Sequence, residues 1–245
     1  MSMTSIIIPT FNGIGLLREC IEAIEAYTDS PYEIVVVDNG STDGTAEYCL
    51  GKPVTYISLP ENRGFPEACN YGMLAARGSE LLLLNNDVVV SRNWLSNLLH
   101  CLYSGENVGI VGPMTNYASG KQMKELHYAN LDEFHQLAET MNRHDPKKWL
   151  EVKRIVGLCF LFKRELMEKI GLLDERFSPG HYEDDDYCLR SRNAGYRILI
   201  AGDTFVHHHG SASFRKQGQE LMDRLVETNY RKFIEKWGVD PKQFM

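Results

Sequence analysis

Three polar clusters, each placed directly after an apolar run, hold the residues best suited to chemistry. Ile6-Ile7-Ile8 leads into Pro9-Thr10-Phe11-Asn12, Ile34-Val35-Val36-Val37 into Asp38-Asn39-Gly40-Ser41, and Leu81 to Leu84 into Asn85-Asn86-Asp87. A carboxylate such as Asp38 can accept a hydrogen bond from a ligand N–H, for example the imide of a pyrimidine base. It can also cap a helix opening near Asp43 or fold into a turn with Gly40. The matching pair Thr10 and Asn12 on another run favours the ligand role. Asp87, flanked by amides, can hold a hard divalent cation through oxygen and leave room for phosphates. An ordinary Asn/Asp turn uses the same residue types. Further along, Glu183-Asp184-Asp185-Asp186 sets four acids in a row. The helix dipole explains one or two of them, at about 0.3–1 kcal/mol each. Four repel one another, and a carboxylate whose pKa is raised in this way suits a general base. His207-His208-His209 closes one more apolar run. A lone histidine is most often structural, but a neutral imidazole there could join a metal already held by Asp87.

These clusters need a scaffold, and the apolar runs supply it. Continuous runs of four to eight apolar residues fit strands buried on both faces of a sheet. In open α/β sheets ligands bind outside the carboxyl ends of the strands, where all three clusters fall. Residues 4–112 alternate such runs with helical spacing: Leu16, Leu17, Cys20, Ile21 and Ile24, then Ala68, Tyr71, Gly72, Ala75 and Ala76, then Trp94, Leu95, Leu98, Leu99 and Leu102. The small residues of the second set predict a helix packed close to the sheet. The rhythm predicts an α/β fold with a doubly wound, mostly parallel sheet flanked by helices. It stops near Pro113. The polar stretch 114–150, with a helix-like piece from Leu131 to Arg143, reads as an insertion or lid beside the pocket. Strand-like Val152 to Lys163 follows, then a helix around Glu165 to Ile170 and a helix after the acidic run. Strand-like Arg197 to Ala201 and Thr204 to His208 come next. An amphipathic helix from Gln217 to Trp237 ends the pattern, expected to pack on the sheet or dock on a membrane or partner.

Composition narrows the function classes. Hydrophobic residues make up 43% and charged residues 24%, so neither disorder nor a membrane protein is favoured. No stretch nears the roughly 18 apolar residues of a spanning helix. The net charge of −7 argues against a nucleic-acid partner. Six scattered cysteines without a Cys-x-x-Cys pair read as isolated thiols of a reducing compartment. With no leader-like start, a cytoplasmic location is expected, including the inner face of the membrane. Gly64, Gly72 and Gly78 fit neither the dinucleotide nor the P-loop pattern, which disfavours both enzyme types.

The ordered set of blocks resembles the family 2 glycosyltransferases with the GT-A fold. The blocks are Ser5 to Asn12, Val37 to Thr45, Asn62-Arg63-Gly64-Phe65 with Asn70-Tyr71-Gly72, Leu84 to Asp87, Gly171 to Phe177, Tyr182 to Arg190, and Val206 to Gly210. The resemblance covers residues 4–214. It implies a glycosyltransferase domain over 1–214, with a nucleotide-sugar-binding half at 1–112, an acceptor and catalytic half at 113–214, and a helical extension at 215–245. Asp38 would hold the base, with Pro9 and Thr10 lining its pocket and Asn12, Gly64, Asn70 and Asn86 among the nucleotide-sugar-binding residues. Asn85-Asn86-Asp87 stands where the family has Asp-x-Asp, leaving Asp87 to meet the diphosphate and a Mg²⁺ or Mn²⁺ ion completed by His208. Asp184 would be the catalytic base, with Glu183 beside it. The implied activity is inverting transfer from a UDP- or dTDP-sugar to a hydroxyl of a glycan, lipid-linked or protein acceptor. The 114–150 stretch, Gly157, Phe177 and His181 would shape the acceptor site. A sugar nucleotidylyltransferase would show a Gly-rich basic loop where Pro9-Thr10-Phe11-Asn12 stands. A non-catalytic sugar-binding module is favoured by the amides at Asn85 and Asn86 and opposed by the acidic run.

Overall fold

The computed structural model describes residues 2–210 and 219–244. The first half runs β1 (Thr4–Thr10), α1 (Ile14–Tyr27), β2 (Tyr32–Asp38), α2 (Thr45–Leu50), β3 (Thr55–Ser58), α3 (Phe65–Ala75) and β4 (Glu80–Leu84). These four strands lie parallel in the order β3-β2-β1-β4. The apolar runs of β1, β2 and β4 are buried on both faces, as their unbroken hydrophobicity requires, while the edge strand β3 is partly exposed. Ile6, Ile8 and Val36 join Leu17, Ile21 and Ile24 of α1 on one side, while Ile7 and Val37 join Ala68 and Met73 of α3 on the other. Gly72 permits the close approach of α3 expected from its small residues. A Cβ there would lie 2.3 Å from Ile7 Cγ2.

The second half continues with β5 (Val88–Val89), α4 (Trp94–Leu102), β6 (Val108–Thr115), α5 (Leu131–Met141), β7 (Trp149–Val152), β8 (Cys159–Lys163), α6 (Arg164–Ile170), α7 (Glu183–Asn193), β9 (Arg197–His208) and α8 (Gln219–Trp237). Here the expected parallel rhythm gives way. β8 lies antiparallel between β4 and β6, and β5 and β7 run antiparallel to β9. The sheet is therefore mixed, and it continues across residue 113 because β6 sits between β8 and β9. The two strand pieces expected at 197–208 are one strand. Its register against β6 slips between Pro113 and Met114, opposite Gly202-Asp203-Thr204, and this slip carries the polar residues that interrupt the apolar pattern.

The 114–150 stretch is seated on the sheet. Phe134 is fully buried with its ring 6.1 Å from Phe205, and the buried Asn142 accepts from Phe205 N at 2.7 Å and donates to Arg92 O. The C-terminal helix α8 clasps α7 and the loop before it. Phe233 packs with Phe177 and Leu189, and Asn229 Nδ2 donates to the carbonyls of Phe177 and Gly180. Residues 217 and 218, which the sequence pattern assigned to this helix, lie outside the described residues, as do 211–214 of the resembling span. All six cysteines are buried free thiols. Among the described residues no helix is long and apolar enough to cross a membrane.

Candidate active site

The sheet order places β1 between β2 and β4, so connections leave it in both directions and open a crevice at its carboxyl end. Thr10 closes β1 and Asn86 follows β4, and Asn86 Nδ2 donates to Thr10 Oγ1 at 2.9 Å across this crevice. Pro9, one residue earlier, pairs in register with Val37. Asn12, at φ 47°, turns toward the loop after β2: its N–H donates to Ser41 Oγ and its Oδ1 accepts from Thr42 N. Asp43 Oδ2 accepts from Ile14 N at 2.9 Å and its Oδ1 from Thr45 Oγ1 at 2.6 Å, so it ties the start of α1 to the start of α2.

Asp38 is buried at the end of β2. Its Oδ1 accepts from Ser41 N at 2.9 Å and its Oδ2 from the Tyr56 hydroxyl at 2.7 Å. The turn reading of Asp38 is thus present in the fold. Each oxygen keeps a second lone pair for a ligand N–H. Burial, and the bond to Asp38, push the Tyr56 hydroxyl up to about 12. Tyr56 escaped sequence reasoning because nothing in a short edge strand marks one tyrosine as the neighbour of a carboxylate 18 residues earlier in the chain.

On the other side of the crevice, β5 pairs with the end of β9 with Val88 opposite His208 and Val89 opposite His207. That register brings the buried Asp87 and His208 together, with Nε2 3.1 Å from Oδ1. His208 Nδ1–H donates to Tyr117 O at 2.8 Å, which fixes the tautomer and aims Nε2 at the carboxylate. Asn116 holds the backbone of His208 through both amide atoms. Burial pulls the His208 pKa down, but Asp87 outweighs it and the net direction is upward. A carboxylate and an oriented imidazole, with the other ring nitrogen already bonded to a carbonyl, would suit a divalent cation, to which Asp87 and His208 would each supply a ligand atom. Among the described residues no group of three or more His, Cys, Asp or Glu side chains gathers here.

The acidic run divides at the start of α7. Glu183, Asp185 and Asp186 are buried, and only Asp184 is partly exposed. Asp184 Oδ2 accepts from Gly157 N at 2.9 Å, and its Oδ1 accepts from Asp185 N at 2.8 Å. Gly157 precedes Leu158, whose carbonyl accepts from Asn85 N at 2.9 Å. One short strap therefore ties Asp184 to the cluster carrying Asp87. The upward pKa shift expected within the run falls on two neighbours. Burial, then the charge of Asp184, drives the Glu183 carboxyl well above the usual range. The same two causes push Asp185 up to about 7, against the pull of Arg154, whose Nε lies 2.7 Å away. His181 and Tyr182, both at φ 73°, precede the helix in the left-handed region that side chains rarely adopt. Strain of this kind collects where a loop must present a site.

Two sequence-predicted ligand residues are placed differently. Asn70 Nδ2 donates to Leu173 O and Glu175 Oε1, and its Oδ1 accepts from Leu173 N. With both amide hydrogens bound it clamps the turn before α7 rather than facing the crevice. Gly64, at φ 89°, lies against Pro179, where a Cβ would come within 2.7 Å of Pro179 Cα. It supports the same loop. Phe177 is likewise fully buried core, while His181 Nε2 lies 3.1 Å from Met222 Sδ.

Comparison with known proteins agrees with this arrangement. The chain is 27% identical over 219 residues to glycosyltransferase AglE of Haloferax volcanii, covering 85% of this chain and 67% of that protein. It is 26% identical to glycosyltransferase GlyG of Streptococcus pneumoniae (89% and 75% covered), and 28% identical to O-antigen biosynthesis protein RfbC of Myxococcus xanthus (92% and 18%). The chain thus spans anything from under a fifth to three quarters of the length of these relatives. Its fold is similar to that of mannosyltransferase PcManGT from Pyrobaculum calidifontis in complex with GDP-Man and Mn²⁺, with a TM-score of 0.62 and 24% identity over 84% of this chain and 56% of that one. It is also similar to GalNAc-T7 with UDP, GalNAc and Mn²⁺, with a TM-score of 0.68 and 17% identity over 85% and 44%. Both likenesses establish the GT-A fold. Residues 5–171, more than half of the chain, match the Glycosyl transferase family 2, and the chain belongs to that family.

Proposed function

We propose that the chain is an inverting glycosyltransferase that moves a sugar from a nucleoside diphosphate sugar to an acceptor hydroxyl in glycan biosynthesis. The observation that carries this reading is the buried Asp87–His208 pair at the crevice, tied through Gly157-Leu158 to the partly exposed Asp184. Thr10, Asn86 and Asp38 line the donor side. A carboxylate at Asp38 that can take an imide N–H supports a UDP- or dTDP-linked donor. Asp87 and His208 would hold a Mg²⁺ or Mn²⁺ ion, which supplies charge stabilisation to the departing diphosphate. With the leaving group so stabilised, no general acid is required on that side.

Asp184 is the proton acceptor in this scheme. The acceptor oxygen bonds to the anomeric carbon from the face opposite the diphosphate, and the carbon–oxygen bond to phosphate breaks with its electron pair. The hydroxyl proton passes to Asp184, and the configuration inverts. Glu183, buried beside it with its pKa raised, is withdrawn from solvent and takes no part in the proton transfer of this scheme. Calorimetric titration of UDP, dTDP and GDP, each with Mn²⁺ and then with EDTA, tests the donor side. Metal-dependent binding of UDP or dTDP is expected. Absence of binding by all three under both conditions would favour the non-catalytic alternative.

A further inference from the structure

A further space in the fold shares no lining residue with the groups placed at the strand-end crevice. A cavity of about 620 Å³ opens between the loop Ser119–Gln122, the segment from Glu151 to Val156, the end of α7 with the start of β9, and the C-terminal turn at Phe244. Five of its lining side chains are cationic, Lys121, Lys153, Arg154, Arg192 and Arg197, and a single one, Glu151, is acidic. In a chain of net charge −7, such a concentration of one sign needs a cause.

Two of the five cations are paired. Arg197 meets Glu151 at 2.9 Å, and Arg154 meets Asp185 at 2.7 Å while also donating to Ser119 Oγ. Among the described residues no ion pair forms to Lys121, Lys153 or Arg192. Arg192 carries the clearest sign of a missing partner. Its Nε is buried without a hydrogen bond, and its guanidinium sits 4.3 Å from the centroid of the Phe244 ring. Burial draws its pKa below the ordinary arginine value. The negative end of α7 favours a cation at this position but provides no partner for the buried Nε. An ionised guanidinium with a buried unpaired donor is unfavourable, and an oxyanion bound in the cavity would relieve it.

We infer that this cavity is a phosphate-group site, held by Arg192 with Lys153 and Lys121 and walled on one side by Phe244. A phosphoryl group carries about 1.5–2 negative charges at neutral pH, which suits three unpaired cations better than one carboxylate does. The site is separate from the donor crevice, and its existence does not depend on the transferase reading. It connects to the acidic helix through Arg154, which lines the cavity and grips Asp185, the residue after Asp184.

The test is calorimetric titration of the full chain in EDTA at constant ionic strength, with inorganic phosphate in one arm and glycerol phosphate in the other. Phosphate binding is expected to weaken about tenfold to hundredfold in Arg192→Gln, as loss of a charge-assisted hydrogen bond implies. It should weaken to a smaller degree in Lys153→Gln, an exposed position whose replacement leaves the core untouched. Binding of glycerol phosphate as well identifies a phosphoryl group carried by a larger molecule, and binding of inorganic phosphate alone identifies the free ion. Equal binding by wild type and both variants would place the anion elsewhere and overturn the assignment. So would the absence of binding in both arms at 10 mM, a concentration about tenfold above a weak 1 mM site.

Discussion

Replacing Asp184 with asparagine separates its proposed proton-accepting role from its structural one, because the fold fixes what the amide can keep. Asp184 accepts from two backbone N–H groups, Gly157 at 2.9 Å and Asp185 at 2.8 Å. Asparagine offers one acceptor oxygen and one donor NH₂ group, so one of those N–H groups is left facing a donor. Losing one hydrogen bond to a charged acceptor removes roughly 1.5–3 kcal/mol. In a chain of this length each kcal/mol lowers Tm by about 2–4 °C, which gives a fall of roughly 3–12 °C. The chemical effect is distinct. Loss of a general base is expected to slow transfer by about 10²–10⁴-fold. Donor affinity should stay near that of the wild type, since Asp184 meets the Asp87 cluster through the Gly157-Leu158 backbone rather than through a ligand group. The assay is release of nucleoside diphosphate from the donor identified by titration, run at 25 °C beside thermal melts and donor titrations of the same sample. A variant that melts lower as expected yet transfers within threefold of wild type would remove Asp184 from the chemistry. Parallel loss of donor binding and transfer would mean that it supports the donor pocket instead.

Asp87→Asn is expected to weaken nucleotide binding at least about tenfold in Mn²⁺ and to leave the weaker binding in EDTA nearly unchanged. Equal affinity with the metal present would exclude Asp87 as its ligand. Gly72→Ala should destabilise the chain by about 1–3 kcal/mol in urea melts, since its Cβ would meet Ile7 Cγ2 at 2.3 Å and Val37 Cγ2 at 3.2 Å. An unchanged midpoint would show that α3 does not press on the sheet as described. Asp185, with its folded pKa raised to about 7 from an ordinary value near 3.9, binds more protons folded than unfolded between those limits. Stability should therefore fall as pH rises from about 4 to 7. Asp185→Asn is expected to flatten that slope by up to about 1.4 kcal/mol per pH unit, whatever it does to absolute stability. A slope equal to wild type would assign the raised pKa elsewhere.

What could be read from the sequence was mainly what lies along a single strand. Unbroken apolar runs marked β1, β2 and β4, and the polar residues at their ends fell at the crevice because parallel strands share a carboxyl edge. The pairing of Asp87 with His208 was legible as a chemical match, but its geometry depends on the two-residue strand β5, too short to leave a pattern. The direction of β8 escaped for a different reason. Cys159 to Lys163 is buried on both faces, and such a run reads the same in either direction, so its antiparallel insertion between β4 and β6 left no trace in periodicity. Asn70 looked like a ligand residue because it sits in a block with Gly64 and Gly72. Its bonding partners, Leu173 and Glu175, lie more than 100 residues away, and only the folded chain reveals that it is a clamp. The seating of 114–150 was hidden by composition. Only Phe134 and Ala138 of α5 are buried, while the buried Gln122 and Asn142 present polar side chains to backbone groups.

The acidic run shows how a crude electrostatic argument can point correctly to a region yet miss the division of labour within it. Four adjacent carboxylates on one side of a helix would repel, but successive helical residues turn by about 100° and face four different surroundings. Asp186 is fully buried and meets three partners, Arg190, Lys236 and Trp237, two of them from α8. Its charge fastens the C-terminal helix to α7, which explains why residues beyond the family match at 5–171 are integral to the site. Asp185 is balanced by Arg154, and that pairing reaches into the phosphate cavity. Glu183 is buried near Cys69, and that burial, with the charge of Asp184, raises its pKa toward the neutral form. These three environments absorb the repulsion by ion pairing or by neutralisation, and each of them removes its carboxylate from solvent. Asp184 alone stays partly exposed, oriented by two N–H groups at the edge of the crevice. The proposed role for Asp184, taking a proton from an incoming hydroxyl, calls for that combination of access and fixed orientation, and its three neighbours permit it by turning elsewhere.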